Sequence, residues 1–226
     1  MIVLLAMGQS NAIGRGQGGA DAVAGEVTVW NNRSDTLALD DLGSGFVRPD
    51  LDADPFVNGR NNMFLHMAGA LAETSGSPVR LILVAKGGES IDRWMDLRGT
   101  AGPLYARMAA ILRRAEVPRV NLLAWHQGES DEPASDTYSD RWTRLLDRLS
   151  DDGIIDAATP IVIGETARKY QSINRVLNTI AEGSDRIGIA RISGLPTFDT
   201  IHFAGDCMPE IGHRYARLAA AMLRLP

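Results

Sequence analysis

The side chains of this protein that could do covalent chemistry fall in four short stretches. Gly8-Gln9-Ser10-Asn11-Ala12 sets a serine straight after an apolar run, beside a residue without Cβ. A serine so placed can sit on a sharp turn with its hydroxyl exposed, although Gly-x-Ser-x-Ala is only part of the Gly-x-Ser-x-Gly elbow. The same hydroxyl would also serve as a helix or turn cap. Lys86-Gly87-Gly88-Glu89-Ser90 offers two glycines that let the backbone come close to a ligand and present an N–H, or that simply make a turn. In His126-Gln127-Gly128-Glu129-Ser130-Asp131, the Gln127 amide could point at developing negative charge and Glu129 could orient a neighbour. The acids there also suit the start of a helix.

The fourth stretch is Asp199-Thr200-Ile201-His202. A carboxylate three residues before a histidine, in a non-helical turn, reaches Nδ1–H, fixes the tautomer and leaves Nε2 as a general base. His66 and His213 fall in helical segments, and His126 either lines a pocket or packs beside Trp125. Jointly the four stretches supply a nucleophile, a base, an orienting acid and oxyanion donors, the parts needed for acyl transfer.

These parts need a scaffold that brings them together. Continuous apolar, β-branched runs at 2–7, 79–85, 120–125, 160–164 and 187–192 read as buried parallel strands, with a shorter one at 27–30. Helical spacing separates them at 62–73, 104–115, 136–149, 172–182 and 209–225, the last with proline at a first-turn position. Strands alternating with helices imply right-handed crossovers and a sheet covered on both faces, in one α/β domain over 1–226. The stretch 14–51, rich in glycine and aspartate with little periodicity, is expected as a long loop region over one edge. Ligands bind beyond the carboxyl ends of such strands, where the four stretches are expected to lie.

Composition narrows the function. Of 226 residues, 23 are Lys or Arg and 28 Asp or Glu, a net charge of −5 that gives no electrostatic drive toward nucleic acid. The lone Cys207 excludes an intrachain disulfide and a cysteine zinc site. The opening apolar run is too short to span a bilayer and lacks the flanks of a signal peptide, so the chain is expected in the cytoplasm unless a leader was removed upstream. Gly14-Arg-Gly16-Gln-Gly18-Gly19 matches G-x-G-x-x-G, but the strand before it has already ended and the segment at 20–26 is too short for the required helix. No phosphate-binding loop or His-x-x-x-His pattern occurs, so neither a metal nor a cofactor is expected.

Gly8-Gln9-Ser10-Asn11, Gly87-Gly88 with Ile91 and Trp94, Trp125-x-Gln127-Gly128-Glu129-x-Asp131 and Asp199-x-x-His202 resemble the SGNH/GDSL hydrolase superfamily. They are most similar to its sialate-O-acetylesterase-like branch, which includes carbohydrate esterase family 6. The resemblance runs from residue 8 to the last helix. It implies a three-layer α/β/α sandwich on a flavodoxin-like, five-stranded parallel sheet, and metal-free hydrolysis of O-acetyl esters on a small or oligomeric carbohydrate. Carried over by position, Ser10 is the nucleophile, His202 the base and Asp199 its partner. The oxyanion donors are the Ser10 N–H, a Gly87 or Gly88 N–H and the Gln127 side chain, with Gln9, Asn11, His126 and Glu129 around the pocket. Ala12 stands where methionine is common and Asn61-Asn62 where relatives often show Gly-Pro, departures expected at the pocket rim. A lipase or thioesterase acting on longer acyl chains, and a carbohydrate-binding module without turnover, are the competing expectations.

Overall fold

The strand Ile2–Gly8 (β1) shows why its sequence is apolar without interruption. Leu4 and Ala6 enter one hydrophobic core and Leu5 and Met7 the other, so both faces are covered and neither tolerates polar alternation. The computed structural model describes residues 1–15, 23–50 and 61–225. Beside β1 run Val79–Ala85 (β4) and Leu122–His126 (β5), both parallel to it. Ile161–Gly164 (β6) and Ile187–Ala190 (β7) extend the sheet on one side, and Val27–Trp30 (β2) and Phe46–Val47 (β3) on the other.

The order is β3-β2-β4-β1-β5-β6-β7. The five long runs expected from sequence take the order β4-β1-β5-β6-β7, the flavodoxin-like arrangement. The sheet is wider than the expected five strands because β2 pairs in parallel with β4, and the two-residue β3 then adds antiparallel to β2. No local pattern could show β3, which is only two half-buried residues long.

Helices Met63–Ser75 (α2) and Met208–Met222 (α6) cover one face; Pro103–Arg114 (α3), Tyr138–Asp151 (α4) and Gln171–Glu182 (α5) cover the other. Asn62 caps α2 by accepting from the N–H groups of Phe64 (2.9 Å) and Leu65 (3.1 Å). The stretch 14–51 is more than loop, since it carries β2 and β3; its residues 16–22, including most of the glycine-rich match, lie outside the described residues. Between β2 and β3, the fully buried Arg107 of α3 donates to the carbonyls of Arg33 and Asp41, each at 2.7 Å, and to that of Ala38. No helix among the described residues is long and apolar enough to cross a membrane.

Candidate active site

Register places the site. Gly8 stands level with Ala85 on β4 and with His126 on β5, so the segments that follow the three strands emerge side by side. This is the switch point of the sheet, where the connections from the central strands diverge. A Cβ on Gly8 would lie 2.1 Å from the His126 carbonyl oxygen and 2.8 Å from Ala12 Cβ, so only glycine fits. The Gln9 N–H then donates to that carbonyl at 3.1 Å, and the chain turns into a four-residue helix, Ser10–Ile13 (α1). Ser10 is its first residue, and a helix makes no internal use of the N–H groups of its first turn.

His202 and Asp199 arrive from the far end of the chain on a tight loop. Thr197 bridges Phe203, and the Phe198 N–H donates to the His202 carbonyl at 3.0 Å. Inside it, Asp199 Oδ1 accepts from the N–H groups of Ile201 (3.0 Å) and His202 (2.7 Å) while Thr200 takes a left-handed φ of 68°. Asp199 Oδ2 lies 2.6 Å from His202 Nδ1, and His202 Nε2 lies 2.9 Å from Ser10 Oγ. Desolvation by itself raises the Asp199 pKa, but the bonds from His202 backbone and ring and from the Ile201 N–H outweigh it and hold the pKa at about 2. The exposed Phe198 ring stacks on His202, with centroids 5.7 Å apart and planes at 19°.

Asn11 ties the serine helix to this loop. Its Nδ2 donates to the Ile201 carbonyl (3.1 Å) and its Oδ1 accepts from the Phe203 N–H (3.0 Å). The same Nδ2 donates to Glu129 Oε1 at 2.6 Å. Glu129 is buried, which by itself raises its pKa; His126 and Asn11 overcome that and lower it. His126 Nε2 stands 3.5 Å from Glu129 Oε1, and its Nδ1 pairs with the Tyr215 hydroxyl at 3.1 Å. Asn11 and His126 are therefore fully buried supports rather than pocket wall.

The other expected donors divide. Gly87 and Gly88 lie at the cavity, and a Cβ on Gly87 would be 3.5 Å from Ser10 Cβ. The Gly87 N–H, however, donates to Asp35 Oδ1 at 2.7 Å, and Asp35 Oδ2 accepts from Arg15 at 2.8 Å. Gln127 is fully buried behind the pocket. Its Nε2 faces Glu89 O (3.1 Å), Gln9 Oε1 (3.2 Å) and Asp131 Oδ2, and its Oε1 accepts from the Tyr138 hydroxyl (2.8 Å). Asp131 gathers this side of the site: it accepts from Ser90 Oγ (2.7 Å), the Ile91 N–H (3.0 Å) and Arg141 (3.4 Å), fastening the Gly87-Gly88 loop to the segment after β5.

A cavity of about 550 Å³ opens on Ser10 and His202, with Gln9, Gly87, Gly88 and Glu129 in its wall and Arg15, Tyr170 and Phe198 around them. Ala12 is buried core, and Asn61 and Asn62 support α2 and its neighbours, so the two departures expected at the rim lie beneath it. Sequence reasoning missed Asp35, Arg15, Tyr170, Phe198 and the bracing role of Asp131. Asp131 had a signal, four residues after Gln127 in a run of polar residues following an apolar strand; Asp35 and Arg15 had none.

Over residues 1–221 the chain matches the family described as carbohydrate esterase, sialic acid-specific acetylesterase. It belongs to that family. Membership of the sialic acid-specific acetylesterase family places it among carboxylic ester hydrolases. Among solved structures it is similar to a carbohydrate acetylesterase from Xanthomonas citri, at 19% identity and a TM-score of 0.75, covering 98% of this chain and 56% of that one. An Arabidopsis thaliana protein matches at 20% identity and a TM-score of 0.72, covering 98% and 97%. NanS matches at 15% identity and a TM-score of 0.66, covering 99% and 96%. At these identities the likeness is one of fold. The chain spans little more than half the length of the Xanthomonas protein. No curated protein matches it in sequence.

Proposed function

We propose that this protein is a serine esterase that removes O-acetyl groups from carbohydrates, with residues 1–226 acting as one catalytic domain. The observation that carries the reading is the unbroken line of hydrogen bonds from Asp199 through His202 to Ser10 at the mouth of a cavity. Ser10 Oγ attacks the acetyl carbonyl carbon as its proton passes to His202 Nε2, and Asp199 stabilises the imidazolium. The C–O bond to the sugar breaks, the leaving oxygen takes the proton from His202, and water, deprotonated by the same nitrogen, releases acetate. The Ser10 N–H at the start of α1 is one oxyanion donor. Of the two glycines, Gly88 is favoured for a second, because the Gly87 N–H is engaged by Asp35.

Acetate release from acetylated xylo-oligosaccharides and from O-acetyl sialic acid tests the reading and separates its two carbohydrate classes. Ser10→Ala should lower kcat by about 10⁴-fold or more on whichever substrate is used. Equal rates with and without the serine hydroxyl would end the proposal. A sharp fall in rate beyond acetyl or propionyl in an aryl ester series supports the deacetylase; a rise with chain length favours a lipase or thioesterase.

A further inference from the structure

The side-chain amide expected at the oxyanion, Gln127, has no hydrogen left for it. Its NH₂ carries two hydrogens and faces three acceptors, Glu89 O, Gln9 Oε1 and Asp131 Oδ2, while its oxygen is held by the Tyr138 hydroxyl. Gln127 is also absent from the cavity wall, whereas Gln9, the residue before the serine, forms part of it. Gln9 is itself only 2% exposed, so its amide is well fixed. Its Oε1 accepts from Gln127 Nε2 at 3.2 Å and from the Ser130 N–H at 3.4 Å, which turns the oxygen toward β5 and the NH₂ the other way. Among the described residues no acceptor meets that NH₂. With its oxygen held on the β5 side, Gln9 keeps both N–H groups for a molecule bound in the cavity whose wall it forms.

We infer that Gln9, rather than Gln127, donates the side-chain N–H to the oxyanion, and that Gln127 acts by aiming it. The inference rests on the serine-esterase reading above. As the Ser10 Oγ–carbon bond forms, the carbonyl π pair moves onto the acetyl oxygen, and a Gln9 Nε2–H bonds to the negative charge that results. On collapse that pair re-forms the carbonyl, the sugar oxygen leaves with the proton from His202, and Gln9 neither gains nor loses a proton. The interaction is strongest in the tetrahedral state, so it acts on kcat more than on substrate binding.

The test uses Gln9→Glu, which keeps an oxygen for Gln127 and Ser130 but replaces the donor with an acceptor, and Gln9→Met, which has similar length and no donor. Both are measured on an aryl acetate beside Gln127→Ala and Ser10→Ala. The expected result is a fall in kcat of about 10²–10³-fold in each Gln9 variant with KM within a few-fold, and a parallel loss of affinity for an aryl boronic acid that mimics the tetrahedral state. Gln127→Ala should lose less, about tenfold. If one Gln9 variant fails to fold by circular dichroism, the other decides. If a folded Gln9 variant keeps kcat within about fivefold while Ser10→Ala is inactive, or if Gln127→Ala loses more than Gln9→Met, the assignment is overturned. An active Ser10→Ala instead overturns the esterase reading on which it stands.

Discussion

The two sides of the cavity are built in opposite ways. The side carrying His202 and Asp199 is an exposed loop whose bonds are local: Asp199 holds the N–H groups two and three residues on and the ring of the same histidine. The side facing it is buried and assembled from distant chain, with Asp131 joining the segments after β4 and β5 to Arg141 within α4, and Gln127 sandwiched between Gln9 and Tyr138. A base must swing and exchange protons with a leaving group, which suits a loop near solvent. Oxyanion donors act by staying still, which suits a dry, cross-braced network. Asn11 is the hinge pin between the two, bonded to Ile201 and Phe203 on one side and Glu129 on the other.

Substitutions on each side should separate chemistry from scaffold. The largest effect is expected on the loop side: His202→Ala or Asp199→Asn should cost about 10⁴-fold in kcat, with smaller losses of urea midpoint than on the buried side, because these residues are held locally and partly exposed. On the buried side the balance should reverse. Asp131→Ala strips a nearly buried Arg141 of its nearest buried carboxylate and leaves the Ser90 and Ile91 donors open, so a stability loss of about 3 kcal/mol by urea denaturation is expected along with lower activity. A parent-like midpoint would show that the network does not brace the site.

Acid pH gives a further handle, this time on the scaffold. Burial, helped by His213, lowers the pKa of His66 on α2 to about 4 from 6.5. Its folded form prefers the neutral ring, so its contribution is full above pH 6.5 and declines as pH falls toward 4, by about 1.4 kcal/mol per unit. Asp199, with a folded pKa near 2, contributes above about 3.8 and loses that contribution only as pH falls toward 2. Stability should therefore drop between pH 6.5 and 4 while Asp199 stays ionised. His66→Leu should flatten that slope without changing the pH dependence of kcat. The smallest effect is expected from Phe198→Ala, a few-fold in kcat/KM, since the ring supports one face of His202 from an exposed position.

The contrast between the sides also explains what could be read from sequence. Strands β1, β4, β5, β6 and β7 are legible because burial leaves mostly apolar runs, broken only by single residues such as Arg80, and the Asp199–His202 pair because its spacing is local. β3 is two residues whose pairing depends on β2, and α1 is a single turn following the Gly8 close approach; neither has a period to detect. Gln127 reads as a pocket donor because an amide after a buried strand looks the same whichever way it points. Only the positions of Gln9 and Asp131 decide that direction. Asp35 lies in an aperiodic stretch, and its bond to Gly87 spans 52 residues.

Arg107 reaches the segment between β2 and β3 through main-chain oxygens alone, those of Arg33, Ala38 and Asp41. Those hydrogen bonds ask nothing of the side chains they hold, although the neighbouring Asp40 and Asp41 carboxylates favour the guanidinium charge. What sets the position of Asp35 beside Gly87 is thus mainly the path of the main chain across one buried guanidinium, with Leu37 and Leu42 packed on the core alongside.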